Sequence, residues 1–161
     1  MDGSPTEAAK QVAGESRAWS TLDHYPLVLV VCRDGFSMAE MEECLMPSEE
    51  AFRRKKPFVT LRDFRAMRSG GADALQRRRL AQWQDEWREH IQKYCLGIAT
   101  VSSSPLIRGA MRAIFWMSPP PSPEEVFADL PSAAKWLEER LRSGGVAPPP
   151  YLATLKQTKT P

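Results

Sequence analysis

The sequence predicts an α/β domain built on a single mixed, mainly parallel five-stranded sheet with about four helices, in the order β-β-α-β-α-β-α-β-α. Short apolar runs such as LVLVVC (27–32) and LGIATVS (96–102) alternate with longer segments whose apolar residues recur three and four apart. Proline and glycine clusters punctuate the alternation. Strands separated by helix-length segments run parallel through right-handed crossovers, which places them in one sheet.

Residues 17–22 (RAWSTL) and 26–32 (PLVLVVC) form the first two strands, joined as a hairpin by a turn around Asp23 and His24. Ser37 opens the first helix, because Ser37 and Glu40 stand at capping-box spacing just ahead of Met38, Met41 and Leu45. Pro47 is expected to kink or divide that helix, since an internal proline removes one hydrogen bond and clashes with the preceding turn. Arg53, Arg54, Lys55 and Lys56 close it with the sign of charge that suits a helix C-terminus. PFVTL (57–61) is the third strand. A long helix follows from about Ala72 to Tyr94, with Leu80, Trp83, Trp87, Ile91 and Tyr94 on one face. LGIATVS is the fourth strand, and Pro105 starts a helix to about Met117 from a favoured first-turn position. MSPPPSP (117–123) cannot be helical and reads as an exposed crossover. EVFA (125–128) is the fifth strand, and Ala133, Trp136, Leu137 and Leu141 mark a last helix that stops before Gly144 and Gly145. The domain is therefore placed at 16–143, between a flexible N-terminal tail (1–15) and a flexible Pro/Thr-rich C-terminal tail (144–161), neither of which has an apolar period.

With 161 residues there is room for one core, and 42% hydrophobic with 26% charged residues excludes global disorder. A net charge of +2 supplies no long-range attraction for nucleic acid. No apolar run reaches the ~18 residues of a membrane helix, and the N-terminus lacks a signal-peptide pattern. The expected location is cytoplasmic, with no nucleic acid partner and no membrane insertion. Cys32, Cys44 and Cys95 lie far apart in apolar neighbourhoods, as buried free thiols do; without Cys-x-x-Cys or His-x-x-x-His spacing, no metal or cofactor is expected.

Conventional catalytic constellations are missing. His90 falls in the long helix and His24 in a tight turn, so neither sits where a triad base is needed, and no Gly-x-Ser-x-Gly elbow occurs. Gly70-Gly71 lacks phosphate-loop spacing, and the acidic pairs Glu42-Glu43, Glu49-Glu50 and Glu138-Glu139 read as solvated helix surface. Two groups remain. Ser103 and Ser104 precede a helix start while Arg108 and Arg112 stand one turn apart on that helix, an arrangement for a carboxylate or phosphate; capping by Ser104 and solvated arginines explain the same residues. In the loop before the long helix, Ser69 lies beside Arg65 and Arg68, the setting for a phosphoserine held by charge-assisted hydrogen bonds; ordinary turn chemistry explains Ser-Gly-Gly equally.

PFVTLRDFRAM (57–67), CLGIATVSSSPLIRGAMRAIFWM (95–117) and EVFADLPSAAKWLEERL (125–141) make the stretch from Arg17 to Leu141 resemble the STAS-like proteins related to the anti-anti-sigma factor, in particular bacterial members of undefined role. The family's Asp-Ser-x-Gly element is not intact, Arg68 standing where an acidic residue belongs. The resemblance implies a non-enzymatic regulatory module of bacterial signalling that binds another protein, with Ser69 near the place of the family's phosphorylatable serine. Arg68, Ser69, Asp73 and Arg78 are the expected contact surface or phosphosite, and exposed apolar edge or helix surface offers a homodimer as a further option. A sensor for a small anionic or lipid-like ligand is the competing expectation, placed under the Trp83 and Trp87 helix or at the 102–108 turn.

Overall fold

In the computed structural model, which describes residues 16–69 and 71–159, one sheet runs in the order β1-β2-β3-β4-β5. β1 (Ala18–Thr21) is antiparallel to β2 (Leu27–Cys32), and β3 (Phe58–Asp63), β4 (Cys95–Val101) and β5 (Glu124–Phe127) follow in parallel. The mixed, mainly parallel five-stranded sheet is thus the one expected. β2 (LVLVVC) reads as an unbroken apolar run because both of its faces are covered, β4 (CLGIATV) departs from one only at Gly97 and Thr100, and β3 (FVTLRD) turns polar at Thr60 and again at its end.

Alternation along the strands sorts the core into two layers. Leu27, Leu29, Val59, Leu61, Ala99 and Val101 share one face and pack against α4 (Leu130–Ser143) and α5 (Pro150–Lys156). Val28, Phe58 and Ile98 point the other way, onto α1 (Met38–Arg53) and α2 (Ala74–Tyr94). Gly97 permits the close approach of α4, since a Cβ there would stand 2.9 Å from the Trp136 ring. The remaining helix, α3 (Pro105–Met117), sits at the β5 edge with no buried residue of its own.

Local chemistry sets the helix ends. α1 carries the full Ser37–Glu40 capping box, and α2 carries a second one made by Asp73 and Gln76. Pro47 does not divide α1, which runs unbroken through it. Pro47 has no amide for the Glu43 carbonyl one turn back, and the neighbouring Cys44 carbonyl accepts from the Ser20 hydroxyl on β1 at 2.8 Å.

The C-terminal segment corrects the sequence reading. Residues 144–161 were expected as a tail, and instead Gly145, at φ 73°, turns the chain back into α5, whose Leu152 and Leu155 complete the first core layer. A fifth helix results, and the domain extends past residue 143. Glu138 is a second correction: it is buried rather than solvated, and Lys156 from α5 reaches it at 2.7 Å alongside Arg142 at 3.3 Å. The expected N-terminal tail at 1–15 lies outside the described residues.

Candidate functional site

Two places hold surface or volume that packing leaves unused. The first is the outer face of α3. Ser104 caps this helix, accepting from the Ile107 amide, and Pro105 occupies its first turn. Ile107, Met111 and Phe115, four apart, are the partly covered row. Leu106 is 83% exposed, Trp116 87%, Met117 71% and Ile114 55%, and the small residues Gly109, Ala110 and Ala113 lie exposed among them. These side chains present on the order of several hundred Å² of uninterrupted apolar surface, the scale at which exposed patches mark an interface.

The charges of α3 are turned away from that patch. Arg108 donates through Nη1 to the Ser102 carbonyl at 2.7 Å. Arg112 donates through Nη2 to the Val126 carbonyl at 2.7 Å and lies 3.5 Å from Glu125. Glu125 in turn accepts from the Val126 amide at 2.9 Å. Pro123 and Phe127 offer their carbonyls to β4, so Val126 faces outward, and the ion pair occupies both of its backbone groups. Strand addition at this point of β5 is thereby blocked.

The predicted anion group is accordingly assembled but otherwise engaged. Ser103 donates to the Arg65 carbonyl at 3.4 Å, Ser104 is the helix cap, and Arg108 and Arg112 are committed to backbone carbonyls. In the other group, Asp73 caps α2 and Arg78 is exposed on that helix. Arg68 and Ser69 are drawn together by Asp34, whose carboxylate accepts from their amides at 2.8 and 3.1 Å. Those two amides, the Ser69 hydroxyl and the Arg68 charge hold the Asp34 carboxyl below its usual range.

Asp34 thereby ties the 64–69 loop over the second place, a partly enclosed cavity of about 220 Å³. The sheet supplies Ala18, Val30, Cys32, Thr60 and Arg62 as its floor. α1 forms a wall through Met41, Cys44, Leu45 and Ser48, and Phe64, Met67 and Ala72 close it from the loop side. Gly71, at φ 72°, crosses Met67 so closely that a Cβ would stand 2.6 Å from its methyl. A dry void of this size forgoes at most about 5 kcal/mol of packing, comparable to the whole stability of a marginal domain. Cys32 and Cys44 meet in its wall; a hydrogen bond from the Cys44 thiol lowers the Cys32 pKa and raises that of Cys44. Cys95, wholly enclosed elsewhere, is pushed up to about 11 by burial.

Among the described residues no cluster of three or more His, Cys, Asp or Glu side chains is placed to hold a metal ion, and no helix is long and apolar enough to cross a membrane. His24 stacks on Tyr151 at 3.8 Å, and His90 packs among Phe52, Trp87 and Tyr94. No family model, curated protein or solved structure matches the chain.

Sequence reasoning placed the α3 arginines but missed the patch, whose Leu106, Ala110, Ile114 and Met117 lie across the helix from them and whose Trp116 stands one turn beyond Arg112. A signal was present: apart from Arg108 and Arg112, one turn apart on a single stripe, PLIRGAMRAIFWM has no charged residue, and a helix at a sheet edge cannot bury its whole circumference.

Proposed function

We propose that this protein is a non-enzymatic regulatory module that works by protein–protein contact, and that α3 is the helix it lays into an apolar groove of its partner. The observation that carries this reading is the uncharged outer face of α3, with Leu106, Ile114, Trp116 and Met117 exposed on a helix that has no fully buried residue. Helix-in-groove recognition uses such large anchors at helical spacing, and an aromatic anchor commonly dominates its energy. Arg112 and Glu125 favour this mode over strand addition, because they occupy the β5 edge. The resemblance to STAS-like regulatory domains points the same way. The contact surface differs from the Arg68, Ser69, Asp73 and Arg78 group, which lies in the loop and α2 start.

Photo-crosslinking from position 113, an exposed alanine on the same face that leaves Trp116 in place, followed by mass spectrometry, identifies the protein captured in the native cell. The purified pair is expected to form a 1:1 complex by calorimetry, and Trp116→Ala is expected to weaken it about thirtyfold, the effect of losing roughly 2 kcal/mol. A captured protein that binds the Trp116→Ala variant as tightly as wild type sinks the reading. Crosslinks only to a second copy of the chain replace it with a homodimer.

A further inference from the structure

We infer that the cavity between the sheet and α1 is a binding site for a compact, mainly apolar, uncharged molecule of about nine non-hydrogen atoms carrying one hydrogen-bonding group. Its size follows from its volume. An apolar cavity of ~150 Å³ takes up benzene, so the 220 Å³ here accommodates a somewhat larger ring system. Apolar character follows from the wall, which is predominantly apolar and includes Val30, Met41, Leu45, Phe64, Met67 and Leu80.

The absence of charge in the ligand is argued from Arg62. Among the described residues it is the one charged residue lining the cavity, and Glu124, whose side chain is 3% exposed, already balances it at 3.4 Å. An anion entering beside this pair would bury an excess negative charge, and a cation would meet a guanidinium, whereas a neutral group meets neither cost. The Thr60 and Ser48 hydroxyls and the two thiols in the wall offer a single hydrogen bond to such a molecule. Access is through the loop that Asp34 ties down, since Phe64 and Met67 would swing away with it. This site is separate from the α3 face, so either proposal stands if the other fails.

Indole, a neutral ring system of about nine non-hydrogen atoms with one N–H donor, is the probe, and methyl-labelled methionines in the full chain are the reporters. Met41 and Met67 line the cavity, whereas Met46 and Met117 are exposed outside it. Saturable indole shifts at Met41 and Met67 alone are expected, with benzoate, similar in size but charged, producing none. Ser48→Leu, which fills the cavity from a helical position, is expected to weaken the indole response at least about tenfold while raising the melting temperature. No saturable shift at Met41 and Met67 overturns the proposal, as do shifts at Met117 alone or benzoate binding as well as indole. If Ser48→Leu does not fold, the wild-type pattern decides alone.

Discussion

Leu152→Ala tests whether the chain after Gly144 belongs to the folded unit. Leu152 is wholly buried and packs in the layer that includes Leu137, Leu141 and Val101. Removing a buried leucine side chain costs about 2–5 kcal/mol, depending on how far the surroundings relax. α5 is a short peripheral helix able to shift inward, which argues for the middle of that range, about 3 kcal/mol. For a chain of this size that lowers the melting temperature by roughly 10 °C. With a urea slope of about 2 kcal/mol/M, it moves the denaturation midpoint by about 1.5 M. Far-ultraviolet circular dichroism reads both, and an unchanged slope certifies that the loss lies in the folded state. Leu106→Ala on α3 is the control: at 83% exposure it should stay within about 0.5 kcal/mol of wild type. Lys156→Met tests the same docking by charge, leaving buried Glu138 with only the largely exposed Arg142. Its cost is about 1–2 kcal/mol, below the value for an enclosed pair because Lys156 itself is 39% exposed. A Leu152→Ala midpoint indistinguishable from that of Leu106→Ala would refute the reasoning and return 144–161 to a dispensable tail.

Asp34→Asn should release the loop over the cavity, seen as faster hydrogen exchange at the Arg68 and Ser69 amides, whose bonds to the carboxylate it weakens. Because the folded Asp34 pKa is depressed, its contribution is complete above the ordinary aspartate value and is lost as pH falls below that value through the folded pKa. Protection in the wild type should therefore persist in mild acid and fail only in stronger acid, and equal exchange in variant and wild type would remove Asp34 as the tie. Alkylation with iodoacetamide at mildly alkaline pH should modify Cys32 first and Cys95 last, the first thiol being lowered by its Cys44 hydrogen bond and the last pushed up to about 11 by burial. Peptide mass spectrometry reads the order, and early labelling of Cys95 would contradict its enclosure.

The sheet was legible because its physics is local. Apolar runs, the capping box at Ser37 and Pro105 at a first turn each state their element within a few residues, while the second capping box, at Asp73 and Gln76, was passed over and the long helix was started near Ala72 rather than Ala74. α5 was not legible, because PYLATLK offers only Tyr151, Leu152 and Leu155 within seven residues and no side-chain cap, too few turns for a period to show. Its stability comes from tertiary burial that a turn at Gly145 makes available. Glu138 was misread for a related reason: a glutamate on an amphipathic helix looks solvated until a second helix, itself undetected, lays Lys156 over it. The cavity is still less visible. Its walls draw on the two hairpin strands, β3, α1, α2 and two loops, and the volume between such distant residues is a property of packing that no window of sequence contains.

On the two proposals, stability and binding are divided between parts of the molecule. The α4 and α5 layer has Ala133, Ala134, Leu137, Leu141 and Leu152 at zero exposure, so its side chains do nothing that packing does not explain. The opposite layer tolerates the cavity and roofs it with a loop whose far end is tied by the Asp34 carboxylate, while α3 displays four large apolar side chains to solvent. Selection for folding alone disfavours both, since a filled cavity and a charged α3 face would improve stability and solubility together. Neither feature is needed to close the core, which the α4 and α5 layer and the Trp83 and Ile91 face of α2 already complete. The cavity and the patch thus lie where the fold can bear a loss, and a substitution that abolishes binding at either place need not unfold the domain. Loss of function without loss of stability, at Trp116 or Ser48, is what distinguishes working surfaces from packing faults.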